Sequence, residues 1–392
     1  MNNNTLDLIK LIKTGGVYKM NYSFEGYKRD DGMAGTRNYV GIVSSVICSS
    51  AVVREISEKV TGTIPIVHAN GCAQLGDDFK LTRNMLVGMS SNPNIHSALL
   101  VGLGCETNQV SGLLNRIPKT KPIKGIGIQQ LAGGTNTIQK GVSITETWAR
   151  EATEQKRTTL ALSRLTVGIL NVDANQDSLM KTGPVIGEVV NKLVENDAKV
   201  VMGLSKTLEP AGNLLSERMI DTTEKEKVRK FSRGLHRLRW KDPDITNKDN
   251  EFTEEETKLA TLESKMTGSV PINSVLDYGE IPKENGLYIM NISSNVVESL
   301  SKMASSGCNI VLIVSDRGVL TGSIALPCMT VTPQNNESSF DELIDYSIKG
   351  IDIHEESERI IEEILEVCSG KQTELEMLEL GEFSIPHLGT TY

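Results

Sequence analysis

Residues 39–69 read YVGIVSSVICSSAVVREISEKVTGTIPIVHA, and this stretch decides the fold class. It opens with an apolar run at 39–48 that is typical of a buried strand, and residues 50–60 then carry apolar side chains at helical spacing. A second apolar run follows at 64–69. Because a strand, a helix and a strand joined by short loops are the unit of a parallel sheet, the stretch predicts an α/β fold with helices on both faces.

The same alternation continues along the rest of the chain and restarts after residue 158. Further strands are predicted at 97–105, 124–130, 165–173, 199–205, 287–293 and 308–315, and further helices at about 81–89, 108–117, 187–198 and 355–370. We therefore expect an N-terminal extension at 1–24 and two Rossmann-like, three-layer domains with mostly parallel sheets at 25–158 and 159–392. A charged stretch at about 213–267 is interpreted as helices packed over the second sheet or as a mobile excursion.

Composition argues against several classes of function. The 392 residues carry a formal net charge of −9, which disfavours non-specific binding to nucleic acid. No apolar run reaches the roughly 18 to 20 residues that span a bilayer, and the first residues lack the long apolar segment of a signal peptide. We therefore expect a cytoplasmic protein with no membrane or nucleic-acid partner, whose six cysteines are thiols rather than disulfides.

Reactive side chains follow the predicted strands of the first domain, at the sheet edge where parallel sheets bind ligands. His68 and Cys72 follow the second strand, Cys105 and Glu106 the third, and Gln130 the fourth. One interpretation makes the first four of these residues the ligands of a divalent metal ion, since imidazole, thiolate and carboxylate all bind such ions. The alternative is structural, with the cysteines as small buried hydrophobes and the histidine hydrogen-bonded to a loop.

The segment GYKRDDGMAGTRN at 26–38 is a candidate site for a carboxylate. It contains Arg29, Arg37 and Asn38 just before the first strand. Arginine recognises a carboxylate through two parallel hydrogen bonds, so we expect these side chains to contact a substrate acid. The alternative is a turn-rich entry segment with surface charges.

The segment SDRGVLTGS at 315–323 is a second polar loop, and it follows a predicted strand. Its backbone amides, together with Arg317, Thr321 and Ser323, could hold a carboxylate or a phosphate. A nucleotide phosphate is the less favoured ligand, since neither G-x-x-x-x-G-K-[ST] nor G-x-G-x-x-G occurs in a strand-to-helix context.

Taken together, these motifs resemble the large catalytic region of altronate and galactarate dehydratases. The beta subunit of sulfolactate sulfo-lyase shares the start of that region. The resemblance runs from about residue 25 to 392. It is carried by GYKRDDGMAGTRNYVGIVSSVICS (26–49), HANGCAQ (68–74), NPNIHSALLVGLGCETNQ (92–109), GIQQLAGGT (127–135), DRGVLTGSIALP (316–327) and EEILEVCSGKQTELEMLELGEFSIPHLG (362–389).

The resemblance implies a lyase that eliminates water from a sugar acid or a related small hydroxy acid and leaves a 2-keto acid. It implies a divalent metal ion, Fe2+ first and Mn2+ as the alternative. It also implies a separate small substrate-binding subunit and a homodimer. A base would remove the proton next to the carboxylate while cations stabilise the developing charge. Glu106, His68 and Asp173 are the candidate catalytic residues.

The central motif departs from the family pattern. Where the family typically has E-C-G-G-S-D, residues 170–175 read LNVDAN, and Lys206 stands where the family has an acid. The departures remove a possible metal ligand or acid–base group, and Asp173 or Lys206 is a candidate to take over its role. The alternative hypothesis is a catalytically impaired paralogue that acts as a ligand-binding, regulatory or partner subunit.

Overall fold

The computed structural model describes residues 9–14, 17–173, 175–232, 252–334, 340–350 and 352–387. They form two parallel sheets flanked by helices, which confirms the predicted α/β fold class. The described strands are β1 (Ile9–Thr14), β2 (Val17–Lys28), β3 (Ala34–Gly35), β4 (Tyr39–Ser44), β5 (Thr63–Ile66), β6 (Ile95–Gly102), β7 (Ile123–Gly127), β8 (Thr158–Ala161), β9 (Thr166–Asn171), β10 (Lys199–Leu204), β11 (Ile272–Leu276), β12 (Gly286–Asn291), β13 (Ile310–Val314), β14 (Gly322–Ser323), β15 (Cys328–Pro333), β16 (Tyr346–Ile348) and β17 (Gly381–Glu382). The described α-helices are α1 (Ser50–Lys59), α2 (Gly76–Ser91), α3 (Val110–Leu114), α4 (Gly134–Glu154), α5 (Gln176–Glu195), α6 (Gly212–Glu217), α7 (Lys225–Ser232), α8 (Glu254–Ser264), α9 (Val296–Ser305), α10 (Ile353–Cys368) and α11 (Glu374–Met377).

The first sheet is parallel, with the strand order β5-β4-β6-β7. Helices α1 and α4 cover one face, where Ile42, Leu99 and Trp148 belong to one apolar cluster. Helices α2 and α3 pack on the other face. Because the carboxyl ends of parallel strands meet at one edge, the loops that follow β4, β5 and β6 are neighbours there.

The second sheet is also parallel, with the order β11-β12-β10-β9-β13-β15-β16. The chain proceeds from β9 outward to β10 and β12, then returns to place β13 on the other side of β9. This reversal is a topological switch point, and the loops that leave β9 and β13 diverge there. The fold therefore opens a crevice at the carboxyl ends of these two strands.

The two domains share one hydrophobic core. Met85 and Leu100 of the first domain belong to the same buried cluster as Met290 and Val311 of the second. Helix α2 packs directly on α9, so closely that a Cβ on Gly88 would lie 2.0 Å from the carbonyl oxygen of Ser305. The packing fixes one sheet against the other.

Strand β2 crosses the predicted boundary between extension and first domain. It pairs with β1 in an antiparallel hairpin, and its C-terminal half pairs with β3 and β8. Strand β8 lies at the predicted junction of the two domains. The pairing ties the start of the described chain to the segment that connects the domains.

The predicted helix at 187–198 begins earlier, at Gln176. Asn175 caps it, because its side chain accepts hydrogen bonds from the backbone amides of Asp177 and Ser178. In the charged stretch, α6, α7 and α8 are helices, and α8 packs against α5. Residues 233–251 of that stretch lie outside the described residues.

Among the described helices, we find none whose length and apolar character would let it cross a bilayer.

Candidate functional site

Three thiols converge at the carboxyl edge of the first sheet. Cys48 follows β4, Cys72 follows β5 and Cys105 follows β6, and these strands are adjacent. Desolvation and the two neighbouring thiols raise the pKa of Cys72. Cys48 and Cys105 are exposed, and Cys72 is partly exposed.

His68 precedes Cys72 in the loop after β5, and the backbone holds both of its ring nitrogens. Nδ1 accepts a hydrogen bond of 3.1 Å from the amide of Asn70, so Nε2 carries the proton and donates to the carbonyl oxygen of Ser44, also at 3.1 Å. Burial lowers the pKa of His68 to about 4, which keeps the ring neutral. Its predicted metal-binding and catalytic roles stay predictions. In this conformation the ring shapes the loop that carries Cys72.

Glu106 is buried, and both of its carboxylate oxygens accept hydrogen bonds. Oε1 accepts from the hydroxyl of Ser45 at 2.9 Å, and Oε2 accepts from the amide of Gly104 at 2.6 Å. The carboxylate fits because residue 102 is a glycine, whose Cβ would lie 2.1 Å from Oε1. Glu106 and Gln130 line the same cavity of about 180 Å³, so the structure brings these two predicted residues together.

The predicted four-residue metal set can be tested for fit against these contacts. Cys72 and Cys105 come together, whereas the lone pairs of His68 and Glu106 are engaged in hydrogen bonds. Over the ranges that the structure describes, no three His, Cys, Asp or Glu side chains are placed to hold a metal ion. The predicted set therefore does not fit a metal ion as arranged.

The arginine-rich segment before β4 has a structural role in this structure. The guanidinium group of Arg29 donates to the carbonyl oxygen of Pro93 at 2.7 Å and to Oδ1 of Asn38 at 2.8 Å. The Asn38 amide in turn donates to the carbonyl oxygen of Ala152. Burial lowers the pKa of Arg29 to about 10. Both side chains are therefore engaged by protein groups, and their predicted contact with a substrate stays a prediction.

Arg37 binds a carboxylate, but the carboxylate belongs to the protein. Its Nε and Nη2 atoms pair with the two oxygens of Glu376 at 2.7 and 2.6 Å. Burial opposes the charge of Arg37, but the hydrogen bond and the charge of Glu376 raise its pKa above the usual value. The pair has the bidentate geometry of carboxylate recognition, and the carboxylate here is that of Glu376 on α11. The predicted contact of Arg37 with a substrate stays a prediction.

A cavity of the second domain opens on the β10 side of the switch point, beside the rewritten motif. This cavity of about 180 Å³ is lined by the ends of β9 and β10 and by the loop before α9, including Asp173, Ser205, Lys206, Ser293 and Ser294. Asp173 links the two sides of the switch point, because its Oδ2 accepts a 2.8 Å hydrogen bond from the hydroxyl of Ser315. Lys206 is exposed at the rim. The cavity thus combines hydroxyl groups with one ammonium group and the carboxylate of Asp173.

Glu263 is a candidate functional residue that the sequence reading missed. It projects from α8, and its Oε1 accepts a 2.7 Å hydrogen bond from the hydroxyl of Ser205, which lines the cavity. Oε2 is buried and has no well-aligned hydrogen-bond partner among the described residues. Burial raises the pKa of Glu263 to about 7, although Ser205 and Asn171 oppose the rise. A buried carboxyl group that titrates near neutral pH is suited to proton transfer.

The loop at 315–323 lies on the opposite side of the switch point. Arg317 is exposed, and the hydroxyl of Ser323 accepts a hydrogen bond from the amide of Ala325. The hydroxyl of Thr321 and Oδ1 of Asp316 are buried without a hydrogen-bond partner in the described part of the chain. Unsatisfied buried polar atoms are costly unless a ligand or water contacts them, so this loop remains a predicted binding segment.

Two family models match the chain and together cover most of it. Residues 26–153 match the model described as D-galactarate dehydratase/Altronate hydrolase, second domain. Residues 162–391 match the model described as D-galactarate/Altronate dehydratase, C-terminal. The matches confirm the resemblance read from the motifs.

Individual relatives are similar over nearly the whole chain. The (2R)-sulfolactate sulfo-lyase subunit beta of Chromohalobacter salexigens is 26% identical over 382 residues, covering 93% of this chain and 97% of the relative. The altronate dehydratase of Bacillus subtilis is 25% identical over 392 residues, covering 95% and 79%. The galactarate dehydratase (L-threo-forming) of Escherichia coli is 27% identical over 394 residues, covering 90% and 73%.

Proposed function

The chain belongs to the D-galactarate/altronate dehydratase family, and from this premise we propose that it is a hydro-lyase. It eliminates water from a sugar acid or a related small hydroxy acid and gives a 2-keto acid after tautomerisation. Relatives named altronate dehydratase and galactarate dehydratase support this reaction class.

The observation that carries the proposal is the pair of Ser205 and Glu263. Elimination of water begins with removal of the proton next to the carboxylate, and a base with a pKa near 7 is well matched to that step. Glu263 has such a pKa, and it reaches the cavity through the Ser205 hydroxyl. We assign the pair as a proton relay, in which Ser205 faces the substrate and Glu263 stores the proton.

The rest of the cavity fits an acid that carries several hydroxyl groups. The ammonium group of Lys206 pairs with the substrate carboxylate, and the hydroxyls of Thr207, Ser293 and Ser294 hydrogen-bond to the substrate. The protein's net charge of −9 disfavours anions in general, so a local cation is needed to bind one.

Two further components belong to the proposal. The divalent metal ion that the resemblance implies, Fe2+ or Mn2+, would supply Lewis-acid polarisation of the substrate when bound, but the predicted ligand set does not fit it as arranged in the described residues. A separate small subunit would complete the substrate site, since the first relative described above is itself named as a subunit.

The test is a turnover assay on a panel of altronate, galactarate, sulfolactate and related hydroxy acids. The protein is supplied with Fe2+ or Mn2+ and assayed with and without a candidate small subunit, and 2-keto acid is measured. We expect turnover of at least one acid and its loss in Glu263→Gln. Glu255→Gln, which changes an exposed carboxylate on the same helix, serves as the control. Lack of turnover for every acid under all these conditions would contradict the hydro-lyase proposal.

A second candidate function is ligand binding without turnover. It is favoured by residues 170–175, which replace the family motif at the crevice, and by the hydrogen bond that holds Asp173 to Ser315. Thermal stabilisation by one acid of the panel, with no 2-keto acid formed, is the result that this function predicts.

A further inference from the structure

We propose that the cavity at the end of β10 selects an acid with one carboxylate and a hydroxyl group at its other end, and that Glu298 sets this selection through Ser293. The inference rests on the proposed function and deepens it, because it names the substrate class as polyhydroxy monocarboxylic acids. It excludes acids with a second anionic group, such as a second carboxylate or a sulfonate, at the end that faces Ser293.

The hydroxyl proton of Ser293 is already committed to a protein group. Ser293 follows β12 and lines the cavity, and its Oγ atom donates a 2.5 Å hydrogen bond to Oε2 of Glu298 in the first turn of α9. The same oxygen accepts a 3.1 Å hydrogen bond from the amide of Asn295. A hydroxyl group has one proton and two lone pairs, and a carboxylate only accepts, so Ser293 has one lone pair left for a ligand and no proton. It can accept from a ligand hydroxyl, whereas a ligand carboxylate would meet only its lone pair.

Ser205 has a similar arrangement at the end of the neighbouring strand. Its hydroxyl lines the cavity and donates a 2.7 Å hydrogen bond to Glu263. Above the Glu263 pKa of about 7, this carboxylate is ionised and only accepts. Two hydroxyl groups of the cavity therefore act toward a ligand as acceptors, each with a negative charge one hydrogen bond behind it.

The charges around the cavity are matched to one negative charge on the ligand. Lys206 is the only lysine, arginine or histidine among the described residues that line it, and Asp173 is a lining carboxylate. Glu263 and Glu298 add two carboxylates behind the lining hydroxyls. A second anionic group on the ligand would therefore lack a cation and would approach like charges, which is an effective way to reject a wrong ligand.

Lys206 and Ser293 lie toward opposite faces of the second sheet. Val200 and Val201, successive residues of β10, belong to two different core clusters, and α8 contributes to the first cluster while α9 contributes to the second. Lys206 begins a short helical segment that packs on α8, whereas Ser293 is hydrogen-bonded to Glu298 of α9. A ligand whose carboxylate pairs with Lys206 therefore extends toward Ser293.

The experiment compares the binding of acids that differ at one end. Galactonate and galactarate share their stereocentres, and the terminal carbon is a hydroxymethyl group in the first and a carboxylate in the second. Altronate and altrarate form a second such pair. Calorimetric titration at about pH 8, above the pKa of Glu263, gives Kd for each acid under the metal and subunit conditions of the turnover assay.

Two variants and one control are titrated beside the wild type. Glu298→Gln is the main variant, because an amide can donate to Ser293 and so frees the serine proton for a carboxylate ligand. Ser293→Ala removes the acceptor itself. Glu284→Gln, which removes an exposed carboxylate just before β12, is the matched control. Thermal unfolding shows whether each variant is folded.

We expect the wild type and the control to bind each monocarboxylic acid about tenfold more tightly than its dicarboxylic partner. In Glu298→Gln and Ser293→Ala this ratio of Kd values should fall toward one. If Glu298 only stabilises α9, its replacement weakens all the acids alike and leaves the ratio unchanged, and this result contradicts the proposal.

Equal or tighter binding of the dicarboxylic acids by the wild type also overturns the proposal. Both of these results leave the hydro-lyase function standing, because turnover is not what is measured. Absence of binding for every acid would instead remove the cavity as the substrate site and overturn the assignment of Ser205 and Glu263 together with this inference.

Discussion

Ser205 donates a 2.7 Å hydrogen bond to Glu263 across 58 positions of sequence and connects a buried carboxyl group to the cavity at the end of β10. The carboxyl group is nearly inaccessible to solvent, with 1% relative exposure of the residue. The protonation of Glu263 therefore depends on folding, so it can be measured through the pH dependence of the free energy of unfolding.

The first prediction concerns the pH dependence of stability. Burial raises the folded-state pKa of Glu263 from 4.5 to about 7. The folded protein therefore binds this proton more tightly than the unfolded chain does, and the resulting stability is fully present below pH 4.5 and is lost as the pH rises to about 7. Glu263→Gln removes this dependence, which amounts to roughly 3 kcal/mol across the window.

Urea unfolding of wild type and Glu263→Gln at pH values on both sides of this window measures the effect. The variant is expected to gain stability relative to wild type as the pH rises. Glu255→Gln, on the exposed side of α8, should show no such change. An unchanged difference between wild type and Glu263→Gln over the whole window would mean that Glu263 ionises normally.

The second prediction concerns Lys206 and depends on the proposed reaction. Lys206→Ala removes the ammonium group at the rim of the cavity, so KM for an acid substrate should rise about tenfold with little change in kcat. Added salt should raise the wild-type KM in the same direction, because the site is exposed and screened. Lys258→Ala, an exposed lysine on α8, is the control. Equal KM values for the two variants would remove Lys206 from the substrate site.

The third prediction concerns the ion pair between Arg37 and Glu376. The pair is nearly buried, with side-chain exposures of 9% and 14%. Glu376→Gln leaves the guanidinium group buried without its counter-charge, and we expect a loss of about 3 kcal/mol in the free energy of unfolding. Denaturant unfolding measures it. Glu355→Gln, which breaks an exposed pair with Arg359, should leave stability unchanged. If both variants change the free energy of unfolding by the same small amount, the buried pair does not contribute to stability.

The fourth prediction concerns the contact between the two domains. A Cβ at Gly88 would lie 2.0 Å from the carbonyl oxygen of Ser305, so Gly88→Ala must push α2 away from α9. We expect a loss of about 1–3 kcal/mol. Gly112→Ala adds a methyl group with no atom within 4 Å and should leave stability unchanged or slightly raised. A calorimetric scan of both variants compares them, and an equally stable Gly88→Ala would mean that the helices separate easily.

Sequence periodicity was sufficient to predict the main strands and helices. The runs that begin at Tyr39 and Thr166 alternate with amphipathic helices, and a buried parallel strand requires such an apolar run. Strands β11 and β15 were missed, since their short segments lack the flanking helical pattern that marked the others. The start of α5 was misplaced because its cap, Asn175, comes twelve residues before the predicted first residue, 187.

The site was less predictable for a chemical reason. Arg37 has the geometry of a carboxylate-binding residue, but hydrogen-bonding chemistry cannot distinguish a substrate carboxylate from that of Glu376. Glu263 lies in a charged helical stretch, where its burial depends on contacts far away in sequence. The convergence of Cys72 and Cys105 could be predicted, because strand ends at one sheet edge are neighbours whatever the detailed packing.

The pair of Arg37 and Glu376 has a consequence for biosynthesis. Its partners are separated by 339 positions, so the first domain leaves the ribosome long before the carboxylate that neutralises its buried arginine has been made. Contacts of such long sequence separation slow folding and leave partly folded chains exposed to aggregation and proteolysis. If synthesis stops shortly before α11, the released chain contains the first domain and most of the second. It still lacks Glu376, the carboxylate that pairs with the buried Arg37 of the first domain.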